Sequence, residues 1–430
     1  MTFAELPLSE QFDAWLGHGT HAPFESRAAG DVVVQRATVA GRALLVVAFD
    51  YGRQHGSIGP AEAQQIGEAL HAAVGERRPL VFLMNTSGMR VTAGMATVAA
   101  LRTLLRSALD AKLAGQPLFA VVSRYAFGGA SMLASLCDRR TMQPGSQLAM
   151  SGPKLIERIA GHAAFNASDR AAVRALIGGE ARAAVTDTTL LCEDSPAAYH
   201  AALSAWLATL DARSMEVDWM EQRTAALHKR LGARVLPPPA SVDLDALDGT
   251  TRRALALLRP GVTDVRCAGS AILARTGDGN ETMVCGLVGG TPATAPSTFA
   301  LTEALLHWAG PRSGLGITLL ADVENHSADP ADERVVLSEY LAHLALVLRL
   351  LHRRGNDVHV IVTGISGGGI FAALSAGASR VSMLRDARIQ VLSPAALAAL
   401  DKAADREDET LSAALSAGAV DSAFPAKSPA

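Results

Sequence analysis

The segment PLFAVVSRYAFGGASMLASL at 117–136 decides the fold, because it runs from an apolar strand through two adjacent glycines into an Ala/Leu/Ser helix. The segment VHVIVTGISGGGIFAALSAG at 358–377 has the same form. The two glycine pairs, Gly128-Gly129 and Gly368-Gly369, lie 240 residues apart. A strand followed by a glycine turn and a helix is typical of an α/β layer, so the sequence predicts two such layers.

A second pair of markers has nearly the same offset. The next strand in each half ends in a Ser/Pro turn, at QLAMSGPKLIE (147–157) and IQVLSPAALAA (389–399). Two markers at one offset indicate an internal repeat. We therefore predict an N-terminal domain at 1–235, a linker at 236–250 that contains three consecutive prolines, and a C-terminal domain at 251–430.

The hydrophobic pattern predicts the elements of both halves. Those of the first half are two strands at 31–50 around Gly41-Arg42, strands at 79–85 and 117–123, a helix ending near Leu109, a helix starting near Phe127, and a charged helix at 213–235. Those of the second half are a strand at 316–323, a helix from about Asp332 to His352, a strand at 358–364, and a helix from about Gly368.

The composition excludes several classes of function. A net charge of -3 and the lack of a long Lys/Arg run exclude a nucleic-acid partner. No stretch approaches the roughly 20 uninterrupted apolar residues of a membrane span, and the N-terminus lacks the pattern of a secretion signal. We therefore expect a cytoplasmic protein. The four cysteines have no metal-ligand spacing and are expected to be reduced core residues: Cys137, Cys192, Cys267 and Cys285.

The glycine pairs carry the candidate chemistry. The first N–H groups of a helix have no intrahelical partner and carry the positive end of the helix dipole. Glycine lets a substrate oxygen approach this backbone without meeting a Cβ, so the amides of Gly128 and Gly129 are candidates for holding an enolate. The alternative is that such glycines only allow a turn or close packing. Their repetition at Gly368 and Gly369 favours the chemical interpretation.

Motifs in both halves resemble a known family. The first half is similar to the β subunit of malonate decarboxylase through an ordered set of motifs between about residues 31 and 195. They are Gly56-Ser57-Ile58-Gly59, Thr86-Ser87-Gly88-Met89-Arg90, Phe127-Gly128-Gly129, Gly152-Pro153-Lys154-Leu155-Ile156-Glu157, Ala167-Ser168-Asp169-Arg170 and Gly178-Gly179-Glu180. The second half is similar to the γ subunit of the same family around Glu333 to His343 and Gly364 to Phe371.

The resemblance implies a fold, a reaction and a set of site residues. The fold would be two crotonase-like α/β domains, each with a ββα superhelix. The reaction would be biotin-independent decarboxylation of a malonyl thioester on an acyl carrier protein or coenzyme A, through an enolate in an oxyanion hole. No cofactor would be permanently bound, and a homo-oligomer is expected. The catalytic residues would be Gly128, Gly129, Gly368 and Gly369. The substrate-binding residues would be Ser87, Gly88, Arg90, Phe127, Ser151, Gly152, Lys154 and Ser366.

Two other functions stay open at this point. Carboxyltransferases of the biotin-dependent acyl-CoA carboxylases share this fold and both glycine turns, and their second hole faces the ureido carbonyl of biotin. This chain has no Met-Lys-Met biotinylation segment, so a carboxyltransferase component would need biotin and ATP chemistry in trans. The third function is a degenerate scaffold that binds a carrier protein. It is suggested by Asp322-Val323-Glu324-Asn325-His326, which replaces the Asp-Thr-Pro-Gly-like turn of the γ subunit.

Single residues also have alternative interpretations. Arg90 could hold a carboxylate or phosphate, or form a structural salt bridge. Lys154 could steer an anionic carrier, or simply be solvated. Asp322, Glu324 and His326 have metal-ligand chemistry at strand spacing, but a polar loop explains them more simply. Ser366 lies in a Gly-x-Ser-x-Gly pattern. An α/β hydrolase would need a histidine after it, and the sequence has none there.

Overall fold

The computed structural model describes residues 2–210, 219–258, 261–276, 282–400 and 408–425. The chain forms two compact units. The first contains Met1–Arg90, Thr103–Met220 and Ala328–Glu339, and the second contains Val91–Arg102, Glu221–Ser327 and Tyr340–Ala430. Each unit therefore includes a short segment from the opposite half of the sequence.

The first unit is built on a sheet that contains eight strands among the described residues. The strands are β1 (His21–Pro23), β2 (Val32–Val39), β3 (Arg42–Phe49), β4 (Leu80–Thr86), β5 (Leu118–Phe127), β6 (Arg139–Met142), β7 (Gln147–Ala149) and β8 (Thr189–Leu191). The helices of this part of the sequence are α1 (Leu8–Leu16), α2 (Pro60–Glu76), α3 (Gly94–Leu113), α4 (Gly129–Leu136), α5 (Pro153–Ala160), α6 (Arg170–Ile177), α7 (Gly179–Val185) and α8 (Pro196–Thr209).

The second unit is built on a sheet that contains nine strands within the described ranges. They are β9 (Ala240–Ser241), β10 (Val262–Ala268), β11 (Ala271–Thr276), β12 (Thr282–Leu287), β13 (Gly316–Val323), β14 (Asp357–Gly367), β15 (Arg380–Leu384), β16 (Arg388–Gln390) and β17 (Ser422–Phe424). The later helices are α9 (Trp219–Leu231), α10 (Gly249–Leu257), α11 (Ala295–Ala309), α12 (Pro330–Arg334), α13 (Leu337–Arg353), α14 (Gly368–Gly377), α15 (Pro394–Ala399) and α16 (Leu411–Ala417).

The two sheets repeat one order of strands. In the first, β2 and β3 are antiparallel, and β3, β4, β5 and β6 are parallel. In the second, β11 and β12 are antiparallel, and β12, β13, β14 and β15 are parallel. The carboxyl-terminal part of β5 pairs with β7, and that of β14 pairs with β16. The fold is therefore mixed α/β with two parallel-rich sheets, as the sequence predicts; the ββα superhelix stays a prediction.

Each unit buries its own core. In the first, residues of β3, β4 and β5 pack against α1 and α8, with Trp15, Tyr199 and Trp206 among the large buried side chains. In the second, residues of α10 pack on β11, β12, β13 and β14, including Leu255 and Ile272. The buried parallel strands read as continuous apolar runs because both faces are covered.

The helix predicted from about Asp332 to His352 is wrong as a single element. The structure has α12 and α13 in its place, and Val336 between them has a φ of 64°. A β-branched residue rarely adopts a left-handed backbone, so the apolar sequence here gave no signal of the break. The break coincides with the segment Ala328–Glu339 that belongs to the first unit.

Some predictions fall partly on residues that the structure leaves undescribed. The predicted charged helix at 213–235 is described from Trp219, where α9 begins, and residues 213–218 lie outside the described residues. Among the four cysteines, Cys137 and Cys285 are buried, whereas Cys192 and Cys267 are half-buried, and all are free. No described helix has the length and apolarity needed to cross a bilayer.

Candidate active site

The first glycine entrance is the turn between β5 and α4. Gly128 has φ 56° and ψ −129°, and a Cβ built on it would meet nothing within 4 Å, so the approach is open. The Gly128 N–H donates to the Ala149 carbonyl at 3.1 Å, because the pairing of β5 with β7 continues one residue past Phe127. The Gly128 amide is therefore already bound, and of the two predicted donors only the Gly129 amide is available to a substrate. Its N–H makes no hydrogen bond to any described residue.

The turn after β4 lies against this entrance. Gly88 has φ 96°, and a Cβ there would lie 2.6 Å from the Phe127 carbonyl oxygen, so only glycine allows the approach. The Gly88 N–H donates to Thr86 Oγ1 at 3.0 Å. The Met89 N–H makes no hydrogen bond within the described part of the chain. Ser87 is exposed, and its N–H donates to the His55 carbonyl at 3.0 Å.

The segment after β7 follows Ala149, the residue whose carbonyl binds the Gly128 N–H. Ser151 is buried, and its N–H donates to Glu333 Oε1 at 2.8 Å. Gly152 caps α5, and a Cβ on it would meet nothing within 4 Å. Lys154 is exposed on the first turn of that helix. The structure thus places Ser151 and Gly152 next to the strand that fixes Gly128, with Lys154 facing solvent.

Arg90 is held by protein groups. Its guanidinium lies 3.0 Å from Glu62 Oε1 and donates to the Ser57 hydroxyl and carbonyl at 3.2 and 3.1 Å. Burial raises the pKa of Glu62, but hydrogen bonds from the Asp31 N–H, from Arg90 and from the Gly59 N–H outweigh it, so the pKa is lowered overall. This geometry matches the structural salt bridge that the sequence left as the alternative for Arg90.

The second glycine entrance, at the start of α14, is filled by protein side chains. The Gly369 N–H donates to His326 Nδ1 at 3.1 Å. Gly368 has φ 55°, and a Cβ on it would collide with the side chains of Asn325 and His326. The predicted catalytic role of Gly368 and Gly369 therefore has no open site in this structure. The Asp322 to His326 turn, which departs from the γ subunit pattern, supplies the side chains that fill it.

Loop hydrogen bonds show which residues of the two halves correspond. The Ile58 N–H donates to Gly88, and the Arg90 N–H returns to Ile58. In the second unit the Ala293 N–H donates to Asn325, and the Ser327 N–H returns to Ala293. Gly88 thus corresponds to Asn325, and Met89 corresponds to His326. The imidazole that fills the second entrance comes from the position held by Met89 in the first.

The remaining polar residues of the second unit have separate partners. Asp322 accepts the Ile365 N–H at 3.0 Å, and burial raises its pKa. The Glu324 carbonyl accepts from the Gln390 amide at 2.7 Å. The Ser366 Oγ is buried with no hydrogen-bond partner in the described ranges. No group of three His, Cys, Asp or Glu residues among the described ones is arranged to hold a metal.

Two aromatic residues, Tyr51 and Tyr125, lie next to the predicted residue Phe127, and the sequence analysis does not include them. Phe127 stacks on Tyr125 with ring centroids 5.6 Å apart, and Tyr125 lies 5.6 Å from Tyr51. The Arg124 guanidinium lies 5.1 Å from the Tyr125 ring. The only sequence signal was the alternation of Tyr125 and Phe127 at the end of β5. Both side chains are half-buried beside Gly128.

One protein-family model matches part of the first half of the chain. Residues 16–209 match the carboxyl transferase domain family. These residues include the first entrance and the strands that form it. The match confirms the carboxyltransferase-like part of the sequence prediction and leaves the malonate decarboxylase relationship untested.

The curated relatives are carboxyltransferase subunits. The acetyl-coenzyme A carboxylase carboxyl transferase subunits beta/alpha of Salinispora tropica are 28% identical over 131 residues, which cover 30% of this chain and 23% of that protein. The chain therefore spans less than a quarter of the length of this relative. Beyond the matched carboxyl transferase domain, the activity and partners of this chain remain matters for proposal.

Solved structures also resemble the chain. A Pseudomonas malonate decarboxylase hetero-tetramer in complex with malonate is 24% identical, with 52% of this chain and 91% of that chain covered and a TM-score of 0.45. The transcarboxylase 12S hexamer with hydrolysed methylmalonyl-coenzyme A is 16% identical, with 98% and 87% covered and a TM-score of 0.42.

Proposed function

We propose that the chain decarboxylates a malonyl or substituted malonyl thioester at the first glycine entrance, with the enolate oxygen held by the Gly129 amide. One comparison within the molecule carries this proposal. The Gly369 N–H donates to an acceptor, His326 Nδ1, at 3.1 Å. The corresponding Gly129 N–H has no acceptor among the described residues, and its entrance is open. An amide that binds an acceptor in one half is thus left for a ligand in the other.

The chemistry needs only an acceptor of negative charge. Cleavage of the bond between the carboxylate carbon and the α-carbon releases CO2, and the bonding electrons pass to the α-carbon and the thioester oxygen. A proton from a donor not yet identified then gives the acetyl thioester. An N–H that binds the enolate oxygen more tightly than the ground-state carbonyl accelerates this step, and removing such a donor typically costs about 2.7–4 kcal/mol.

A second donor is available from the turn after β4. Gly88 lies against the Phe127 carbonyl, so the next residue, Met89, follows a turn that packs beside the start of α4, and its N–H makes no hydrogen bond among the described residues. We assign the Met89 N–H and the Gly129 N–H as the two donors of the hole. The α4 dipole adds to their effect, because its positive end points toward the same oxygen.

The carrier in this proposal is a phosphopantetheine thioester, on coenzyme A or on an acyl carrier protein. Phe127 would contact the acyl end, since it precedes the glycine turn and is half-buried. Lys154 is an exposed cation on the first turn of α5, five residues after Ala149, and suits an anionic carrier. The proposal requires no resident cofactor. Assembly into homo-oligomers remains a prediction.

The runner-up is a carboxyltransferase component of a biotin-dependent enzyme. It is favoured by the match of residues 16–209 to the carboxyl transferase domain and by the acetyl-coenzyme A carboxylase relatives. The resemblance to biotin-dependent carboxyltransferases implies that biotin would face the second hole. His326 occupies the amide of that hole here, which favours the biotin-independent reaction. The filled second entrance is also consistent with a degenerate scaffold that binds a carrier protein. The open first entrance argues against that alternative.

Purified protein incubated with malonyl-CoA, and separately with a malonyl carrier protein, tests the proposal by mass spectrometry. We expect loss of CO2 and formation of the acetyl thioester without ATP, biotin or bicarbonate. Turnover only after addition of a biotin carrier would assign the protein to the carboxyltransferases. Binding of the carrier with no turnover under either condition would support the scaffold.

A further inference from the structure

A buried ion pair lies beside the end of β7, the strand that binds Gly128 of the first entrance. Arg182, on α7, and Glu333, on α12, are both fully buried, with Arg182 Nη2 3.4 Å from Glu333 Oε2. Arg182 Nη1 also donates to the Glu333 carbonyl at 2.6 Å. Glu333 belongs to the segment Ala328–Glu339, which is part of the first unit although it comes from the second half of the sequence.

The pair binds the backbone of three residues, on either side of Ala149. Arg182 Nε donates to the Leu148 carbonyl at 2.8 Å. Glu333 Oε1 accepts the Ser151 N–H at 2.8 Å, and the Met150 N–H also donates to this carboxylate. Between these contacts lies Ala149, whose carbonyl accepts the Gly128 N–H. The pair therefore fixes the residues before and after Ala149, and Ala149 in turn binds the Gly128 N–H of the first entrance.

We infer that Arg182 and Glu333 form a positioning clamp that fixes the strand under Gly128 and so aims the Gly129 amide at the enolate oxygen. The effect of the clamp on rate rests on the proposed function; its effect on the backbone does not. Neither side chain reaches the substrate, since both are completely buried. Their influence passes through the Ala149 carbonyl.

The electrostatics agree with a positional role. Burial raises the pKa of Glu333 to about 7, while Arg182 and the Ser151 N–H act to lower it and Asp332 acts to raise it. A buried ion pair is often no more stabilising than apolar residues of the same volume. Such a pair fixes the geometry of its neighbours, because the planar guanidinium and the carboxylate hold several hydrogen bonds at once. Here those bonds reach the backbone of Leu148, Met150 and Ser151.

The first unit contains a second buried pair that serves as a matched control. Arg140 and Glu339 are ion-paired and almost fully buried, and Arg140 Nε donates to Thr189 Oγ1 at 2.7 Å. Glu339, like Glu333, belongs to the segment Ala328–Glu339. Thr189 belongs to β8, so this contact of Arg140 lies on a different strand from residues 148–151. Glu339→Gln therefore removes a buried carboxylate charge from the same segment of the chain, at a pair whose arginine binds β8.

The test compares Glu333→Gln with Glu339→Gln in the full chain. The amide keeps the size of the side chain and one acceptor oxygen but removes the charge. Amide hydrogen exchange of the peptides containing Gly128 and Ser151 should accelerate by about tenfold or more in Glu333→Gln and stay at the wild-type rate in Glu339→Gln. With malonyl-CoA, kcat should fall by roughly 10-fold to 100-fold in Glu333→Gln, with KM changed by less than about twofold.

Glu333→Asp provides a second variant that keeps the charge and retracts it by one methylene. It should show the same acceleration of exchange, because the carboxylate no longer reaches the Ser151 N–H. Equal exchange at Gly128 in the two glutamine variants would overturn the clamp, and so would a loss of kcat in Glu339→Gln as large as in Glu333→Gln. Accelerated exchange in Glu333→Gln, in a protein whose wild type has no turnover, would keep the clamp and reject the proposed function.

Discussion

Replacement of Gly128 by alanine separates the backbone geometry of the first entrance from its packing. Gly128 has φ 56° and ψ −129°, a conformation that alanine adopts only under strain of about 1–3 kcal/mol. A Cβ there would meet nothing within 4 Å, so steric collision adds no cost. The backbone should relax toward negative φ and turn the Gly129 N–H away from the enolate oxygen. Loss of one such donor predicts a fall in kcat on the order of 100-fold.

Gly161→Ala is the control for this experiment. Gly161 ends α5 with φ 86°, and a Cβ on it would also meet nothing within 4 Å. Both variants should lose a similar free energy of unfolding, measured by chemical denaturation. Only Gly128→Ala should lose decarboxylation, measured by mass spectrometry of the acyl thioester. A Gly128→Ala protein that turns over at the rate of Gly161→Ala would refute the assigned role of the entrance.

Three further predictions concern the surroundings of the two entrances. His326→Ala should lower the free energy of unfolding by about 1–3 kcal/mol, because the Gly369 N–H loses its buried acceptor, yet it should leave malonyl-CoA turnover within about threefold; loss of turnover would place the reaction at the second entrance. Glu62→Gln should cost about 3 kcal/mol in a denaturant titration, since it removes the buried carboxylate charge that lies 3.0 Å from Arg90, and a loss below about 1 kcal/mol would contradict the importance of the pair. Burial lowers the pKa of His359 from 6.5 to about 4, so the unfolded chain binds more protons and stability should fall, by on the order of 3 kcal/mol, as the pH drops through this range. His359→Gln should flatten that acid limb in thermal melts at a series of pH values, and an unchanged limb would assign it to other groups.

The parts of the fold that are local in sequence could be predicted. The strand 316–323 matches β13, and both glycine turns begin helices, because a continuous apolar run followed by glycines leaves few other structures. The strands ending at 123 and 364 were predicted too short. Their last residues pair with the brief strands β7 and β16, and no pattern within β5 or β14 reports that pairing.

The parts of the site that depend on distant residues could not be predicted. Arg182 and Glu333 lie 151 residues apart, and neither has a motif that points to the other. The sequence shows that His326 lies in a segment that differs from the γ subunit turn. It does not show that the imidazole accepts the Gly369 N–H, because that contact depends on how the loop after β13 folds back on α14. The hydrogen bond from Gly128 to Ala149 likewise follows from strand register, which hydrophobic pattern alone does not fix at a sheet end.

Decarboxylation of malonyl-CoA in D2O, with ATP, biotin and bicarbonate omitted, is the most direct measurement of enolate formation at the open entrance. Because the solvent supplies deuterons, capture of the enolate should add one deuterium to each acetyl-CoA product, visible as a mass increase of about one unit. In Gly128→Ala this product should form about 100-fold more slowly. Intact malonyl-CoA after prolonged incubation with folded protein would contradict the account.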